Sequence, residues 1–152
     1  MPANEAKVLI IEADDALRVM LFTILRHQPL AVDTVSNSDE AMEKVSACDY
    51  AMILLDLNLP DGESDEFLRR FREFRPESTS FILAVRDPRV DLTIDPQMVN
   101  AIVNKPVELD TLADVVRECA IVVPQPEDPL PCPPAESEVR ARFDRGEPSM
   151  PN

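Results

Sequence analysis

The 152-residue chain has only two glycines, one histidine and no tryptophan. Phosphate-binding loops of the GxGxxG and GxxxxGK[ST] types need several closely spaced glycines, so the sequence excludes both. The single histidine, His27, belongs to no serine or cysteine pattern typical of a hydrolase. The sequence therefore argues against a nucleotide-binding enzyme with such a loop and against a triad hydrolase.

Cysteine, basic charge and long apolar runs are also scarce. The three cysteines, Cys48, Cys119 and Cys132, are far apart and lack CxxC spacing. We therefore expect reduced thiols, no disulfide framework, no zinc site and a cytoplasmic location. The longest apolar run, Ala51–Leu55, is too short for a membrane span, and the start MPANEAK predicts no secretory signal. The net charge of −14 disfavours direct binding to nucleic acids or anionic membranes.

The composition changes at Pro124. Eight of the last 29 residues are proline, and few are large and apolar. Such a segment buries too little surface to offset its chain entropy. We predict one domain over residues 1–123 and a proline-rich, acidic, disordered tail over 124–152; a short helix within 135–145 is the alternative.

Apolar runs alternate with amphipathic segments through the domain. Five runs are predicted strands: Lys7–Ile11, Ala31–Val35, Tyr50–Leu55, Phe81–Val85 and Ala101–Asn104. The segments between them have helical periodicity, which predicts an α/β fold with a doubly wound, five-stranded parallel sheet. Pro88 and Pro96 interrupt the segment before the last strand, so we expect the fourth helix to be reduced.

Polar residues follow four of these strands. Glu12 follows the first strand, Asp56 and Asn58 the third, Arg86 the fourth and Lys105 the fifth. Ligand sites in doubly wound folds lie at the carboxyl ends of the strands. Grouped carboxylates at such an edge suit Mg²⁺, which accepts one or two carboxylates and retains several waters.

Three segments carry a resemblance to a known family: KVLIIEADDALR, YAMILLDLNLPDGES and NKPVELDTL. With them, residues from Lys7 to about Val123 resemble the receiver domain of bacterial two-component response regulators, with the flavodoxin-like strand order 2-1-3-4-5. The resemblance implies that Asp56 accepts a phosphoryl group and that Asp56, Glu12 and the Asn58 carbonyl bind Mg²⁺. It also implies that Lys105 pairs with Asp56 and with the phosphoryl oxygens, and that the bond to Pro106 is cis.

The chain departs from the family pattern at three places. Ala13 replaces the acid that binds Mg²⁺ directly, so we expect weak metal binding. No hydroxyl residue ends the fourth strand, where the candidates are Ala84, Val85 and Arg86. Ile102 stands where the family has an aromatic residue. Arg86 is a candidate partner for Asp56 or a phosphoryl group; a surface arginine balancing an acid is the alternative.

Three functions compete. The first is an atypical, stand-alone receiver in a phosphorelay, whose partners are a histidine kinase or phosphotransfer protein, a downstream protein target and, as a further option, a second copy. The second is a pseudo-receiver that acts as an adaptor without phosphorylation. The third, a flavodoxin-like enzyme, is disfavoured because no flavin phosphate loop follows the first strand. We therefore predict a signalling module and not an enzyme.

Overall fold

A computed structural model of the chain describes residues 6–90, 95–122, 132 and 134–139. Five strands form one parallel sheet in the order β2-β1-β3-β4-β5. The strands are β1 (Ala6–Ile11), β2 (Leu30–Val35), β3 (Met52–Asp56), β4 (Phe81–Arg86) and β5 (Ala101–Asn104). The predicted fold class and strand order are confirmed.

Helices cover both faces of the sheet. They are α1 (Asp15–Leu25), α2 (Ser38–Ala47), α3 (Glu63–Phe74) and α4 (Leu109–Val122). Polar side chains begin two of them, since Asp14 accepts from the Leu17 amide and Asn37 from the Glu40 amide. Each cap satisfies an amide that has no partner within its helix. Among the described residues, no helix has the length and apolar character that crossing a membrane requires.

The sheet separates two apolar cores. The first core packs residues of α2 and α3, such as Val45, Phe67 and Phe71, against one face. The second packs residues of α1 and α4, such as Leu21 and Val116, against the other. Since both faces are covered, the central strands are apolar on both sides, which explains their continuous hydrophobic runs.

The connection between β4 and β5 contains the reduced fourth helix. In its described part only Pro96–Met98 is helical, as a single 3₁₀ turn, and the Asp95 carboxylate accepts from the Gln97 amide there. Residues 91–94 lie outside the description. The expectation that this helix is reduced is confirmed.

A disulfide joins Cys48, at the end of α2, to Cys132. The expectation that these two thiols are reduced and unpaired is wrong. Their Cα atoms are 5.0 Å apart although 84 positions separate them in the chain. The spacing of the cysteines in the sequence therefore does not indicate that they pair. Cys119, on α4, is free.

The described residues beyond α4 contact the outer edge of β2. We call Cys132 and residues 134–139 the C-terminal strap. Ser137 Oγ accepts from the Val32 amide at 2.7 Å, and Glu136 Oε1 accepts from the Thr34 amide at 3.1 Å. Part of the segment expected to be a disordered tail therefore packs on the domain, and the other residues of 124–152 lie outside the description.

Under the strap lies a buried polar pair. The Tyr50 hydroxyl donates to Asp33 Oδ2 at 2.7 Å, and the Glu136 amide donates to Asp33 Oδ1 at 2.8 Å. Burial and the adjacent Asp33 carboxylate raise the pKa of Tyr50, so the phenol stays protonated and remains a donor. The Lys44 ammonium, 3.8 Å away, compensates part of the Asp33 charge.

We expect Tyr50→Phe to lower the free energy of unfolding by about 1–3 kcal/mol, because a buried carboxylate loses a donor. Urea unfolding monitored by circular dichroism measures the change. The same substitution in an Asp33→Asn background should cost less, and equal costs in both backgrounds would contradict the pairing.

Candidate functional site

Three side chains meet at the carboxyl edge of the sheet. Asp56 is the last residue of β3, Glu12 directly follows β1, and Lys105 directly follows β5. Lys105 Nζ lies 3.6 Å from Asp56 Oδ1. Asp56 and Glu12 are each only 5% exposed. The structure thus brings together three of the predicted site residues, Asp56, Glu12 and Lys105.

The backbone around Asp56 fixes its carboxylate. The Asn58 amide donates to Asp56 Oδ1 at 2.9 Å, while Ser64 Oγ donates to the Asp56 carbonyl at 2.7 Å. Ser64 is itself buried at the start of α3. The sequence analysis did not identify Ser64, because serine is common in the first turn of a helix. Only the tertiary fold places its hydroxyl next to the end of β3.

Glu12 is held at several atoms. Its amide donates to the Val35 carbonyl at 3.1 Å, and Arg18 donates to its carbonyl at 2.9 Å. The Asp14 amide donates to Glu12 Oε2 at 3.1 Å. Arg18 was not among the predicted site residues, although its position one turn into α1 places it within reach of the loop.

Burial raises the pKa of Glu12 to about 8, and the hydrogen bond and repulsion from the neighbouring Asp56 add to the effect. The Asp14 amide and the Lys105 charge oppose it. Glu12 therefore keeps its proton to a higher pH than an exposed glutamate does.

The other two predicted residues lie at the rim. The Asn58 side chain accepts from the Asp87 amide at 2.9 Å, which ties the loop after β3 to the loop after β4. The Arg86 guanidinium donates to Asn104 Oδ1 at 3.0 and 3.1 Å. Arg86 is therefore engaged across the β4–β5 pair, and its pairing with Asp56 or a phosphoryl group stays a prediction.

Residues at the departures from the family pattern are apolar and packed. Ala13 and Ile102 are partly buried against the first core, and Val85 is buried in the second. Beneath the carboxylates, between α1 and α4, is a mainly apolar cavity of about 170 Å³ lined in part by Leu17 and Leu112. The side chains of Ala13, Ile102 and Val85 thus add no polar group to the site.

The donors at this edge suit a divalent cation. Asp56 and Glu12 supply two carboxyl groups, which is within the one or two that Mg²⁺ uses in proteins. Glu12 must lose its proton before it can bind the ion. The free energy needed to remove that proton lowers the metal affinity at neutral pH. In the part of the chain that the structure describes, no group of three or more histidine, cysteine or acidic side chains could hold a metal.

Comparison with known proteins agrees with this geometry. The sequence matches the response regulator receiver domain over residues 8–117. The chain belongs to this receiver family. The resemblance in its sequence is confirmed, and Asp56, Lys105 and Glu12 occupy the strand ends at which the motif places them. The Lys105–Pro106 peptide bond is cis, as the family pattern implies.

Individual relatives are similar over part of their length. The transcriptional regulatory protein ResD of Bacillus subtilis is 36% identical over 70 residues, covering 46% of this receiver and 29% of ResD. The chain spans about a third of the length of the curated relatives that it matches.

Solved structures agree on the fold. The receiver domain of Saccharomyces cerevisiae Ssk1, crystallised with the histidine phosphotransfer protein Ypd1, has a TM-score of 0.66 at 21% identity. The alignment covers 82% of this chain and 95% of that one. A streptococcal redox sensor, described as evolved from two-component response regulators, has a TM-score of 0.64 at 20% identity. The alignment covers 96% of this chain and 57% of the redox sensor.

Proposed function

We propose that this receiver accepts a phosphoryl group on Asp56 from a phosphohistidine and relays the signal through protein–protein contacts. The observation that carries the proposal is the buried Asp56 carboxylate with Lys105 Nζ at 3.6 Å, at the strand edge where the family motif lies. The donor would be a histidine kinase or a phosphotransfer protein, and the receiver would work in the cytoplasm. Its output would reach a downstream protein target, with a second copy of the chain as a further contact.

The chemistry is a direct group transfer. A carboxylate oxygen of Asp56 attacks phosphorus, the P–N bond to the donor histidine breaks, and the electron pair of that bond returns to the imidazole nitrogen. The product is an acyl phosphate on Asp56 and a histidine that takes up a proton from solvent. Lys105 offers its charge to the phosphoryl oxygens, and the Asn58 amide orients the carboxylate through Oδ1.

Mg²⁺ would be held by Asp56, Glu12 and the Asn58 carbonyl. When bound, the ion neutralises charge that develops on the transferred phosphoryl group. We propose that it binds weakly, since Ala13 supplies no carboxylate and Glu12 holds a proton at neutral pH.

A phosphorylation-independent adaptor is the second candidate. Ala13 and Ile102 favour it, because the metal ligand and the aromatic switch residue of the family are both replaced. The absence of a hydroxyl among Ala84, Val85 and Arg86 at the end of β4 also favours it. In that case the domain would present its surface to a partner whatever the state of Asp56.

The two candidates differ in one measurement. We expect the purified chain, incubated with Mg²⁺ and a small phosphodonor such as acetyl phosphate, to gain one phosphoryl group by intact-mass spectrometry. Asp56→Asn should abolish the label, whereas Asp61→Asn should keep it, since Asp61 is an exposed acid in the same loop. An unlabelled wild-type chain with every donor tried, including a phosphorylated histidine phosphotransfer protein, would favour the adaptor.

A further inference from the structure

The C-terminal strap covers the free edge of the sheet. β2 is an edge strand, so the amides of Val32 and Thr34 have no neighbouring strand to bind. Ser137 Oγ and the Glu136 carboxylate accept from them, and the Thr34 hydroxyl donates to Glu136 as well. The strap therefore satisfies edge amides that would otherwise be available for pairing with another chain.

Few apolar contacts hold the strap in place. Its buried side chains are the small Ala135 and Ser137, whereas Val139 is 43% exposed. A salt bridge of 3.7 Å joins Glu138 to Lys7. The ion pair contributes little net stability and ordering the segment costs conformational entropy, so the hydrogen bonds to the buried Val32 amide and to Asp33 carry most of the non-covalent attachment. The Cys48–Cys132 bond is the one covalent tether of the strap among the described residues.

We propose that the Cys48–Cys132 pair is a reversible thiol–disulfide exchange site whose reduction releases the C-terminal strap from the edge of β2. Its reaction partner would be a dithiol reductant, either a thioredoxin-like protein or a small dithiol. In the cytoplasm, disulfides are chiefly transient and redox-sensing, which favours a reversible bond over a permanent one. The inference therefore rests on the cytoplasmic location in the proposed function. It does not depend on phosphorylation of Asp56.

The exchange has a defined direction of attack. Cys132 is partly exposed, while Cys48 is buried at the edge of the first core. A thiolate of the reductant attacks Cys132 Sγ, forms a mixed disulfide there and expels Cys48 as a thiolate, which takes up a proton. The second thiol of the reductant then closes its own disulfide and frees Cys132. The pair gains two electrons and two protons, and the dithiol loses the same.

Cys119 is a natural reference within the chain. It lies on α4 and packs against the second core, on the opposite face of the sheet from Cys48. Burial and the nearby Glu118 raise the pKa of the Cys119 thiol, which lowers its thiolate fraction and slows exchange. The geometry therefore assigns the redox response to one pair of the three cysteines.

Released from the strap, β2 would expose the Val32 and Thr34 amides. Hydrogen exchange at these amides is thus a direct reporter of the strap, while amides inside the central strands report the fold. The free energy that holds the strap sets the difference in exchange rate between the oxidised and reduced chains. This gives the domain a second input, independent of the phosphoacceptor.

The test uses the full chain, oxidised with diamide and then titrated with dithiothreitol. Maleimide labelling under denaturing conditions should count one thiol before reduction and three after it. Exchange at the Val32 and Thr34 amides should rise by about tenfold or more on reduction. Exchange at Ile10 and Leu54, in β1 and β3, should stay unchanged.

Two variants make the result specific. Cys132→Ser should exchange at the reduced rate with or without dithiothreitol, and Cys119→Ser should behave like the wild type. Failure of diamide to remove two thiols would overturn the proposal, as would equal exchange at Val32 and Thr34 in both redox states. Phosphoryl labelling of Asp56, measured separately by mass, reports on the proposed function, so failure of one can be told from failure of the other.

Discussion

Between about pH 5 and pH 8 the free energy of unfolding is expected to fall as the pH rises, because Glu12 binds its proton more tightly in the folded chain. Its pKa is about 8 in the fold, against an ordinary value of 4.5. The stabilising contribution is therefore complete below pH 4.5, declines above it, and is lost as the pH passes 8. The largest possible slope is about 1.4 kcal/mol per pH unit.

Urea unfolding in EDTA at several pH values measures this slope. The matched control is Glu12→Gln, which keeps the size and hydrogen-bonding capacity of the side chain but does not titrate. We expect the difference in stability between the Gln variant and the wild type to change with pH across this window. Parallel pH profiles would contradict the assignment of the proton to Glu12.

The sequence predicted the centre of the sheet well because the central strands are buried on both faces. A run such as Ile53 to Leu55 has no polar interruption and is of strand length, as a central parallel strand requires. Strand ends then fix which residues share the edge of the sheet. For this reason the sequence alone groups Asp56, Glu12 and Lys105 at one edge of the sheet.

The position of Arg86 at the end of β4 did not predict which acceptor its guanidinium binds. In the register of β4 and β5, Val85 lies opposite Val103 and Arg86 opposite Asn104. Asn104 offers a nearby acceptor for the guanidinium, so Arg86 binds there. The identity of that cross-strand neighbour depends on pairing between strands distant in sequence, which a strand-end argument does not contain.

The strap was missed for a different reason. Its contacts to β2 come from Ser137 and Glu136 side chains, which leave no periodic pattern in the sequence. Its one apolar residue that is fully buried is Ala135, too small to mark a core element. A proline-rich composition correctly indicates a poor core, yet a covalent bond to Cys48 can hold such a segment without one.

Restoring the missing acid is expected to strengthen Mg²⁺ binding at this site. Ala13→Asp places a carboxylate next to Glu12, and affinity for hard divalent cations rises with the number of charged ligands. We expect Mg²⁺ to bind about tenfold more tightly or better, as measured by isothermal titration calorimetry at neutral pH.

The control for that experiment is Ala13→Asn, which matches the aspartate in size but adds no charge. If charge is the cause, the asparagine variant should bind Mg²⁺ nearly as weakly as the wild type. Phosphoryl labelling of Asp56 at limiting Mg²⁺ should rise in the aspartate variant in the same proportion as metal affinity. An aspartate variant within twofold of the wild type in both measurements would mean that the proton on Glu12, rather than the alanine at 13, limits the metal.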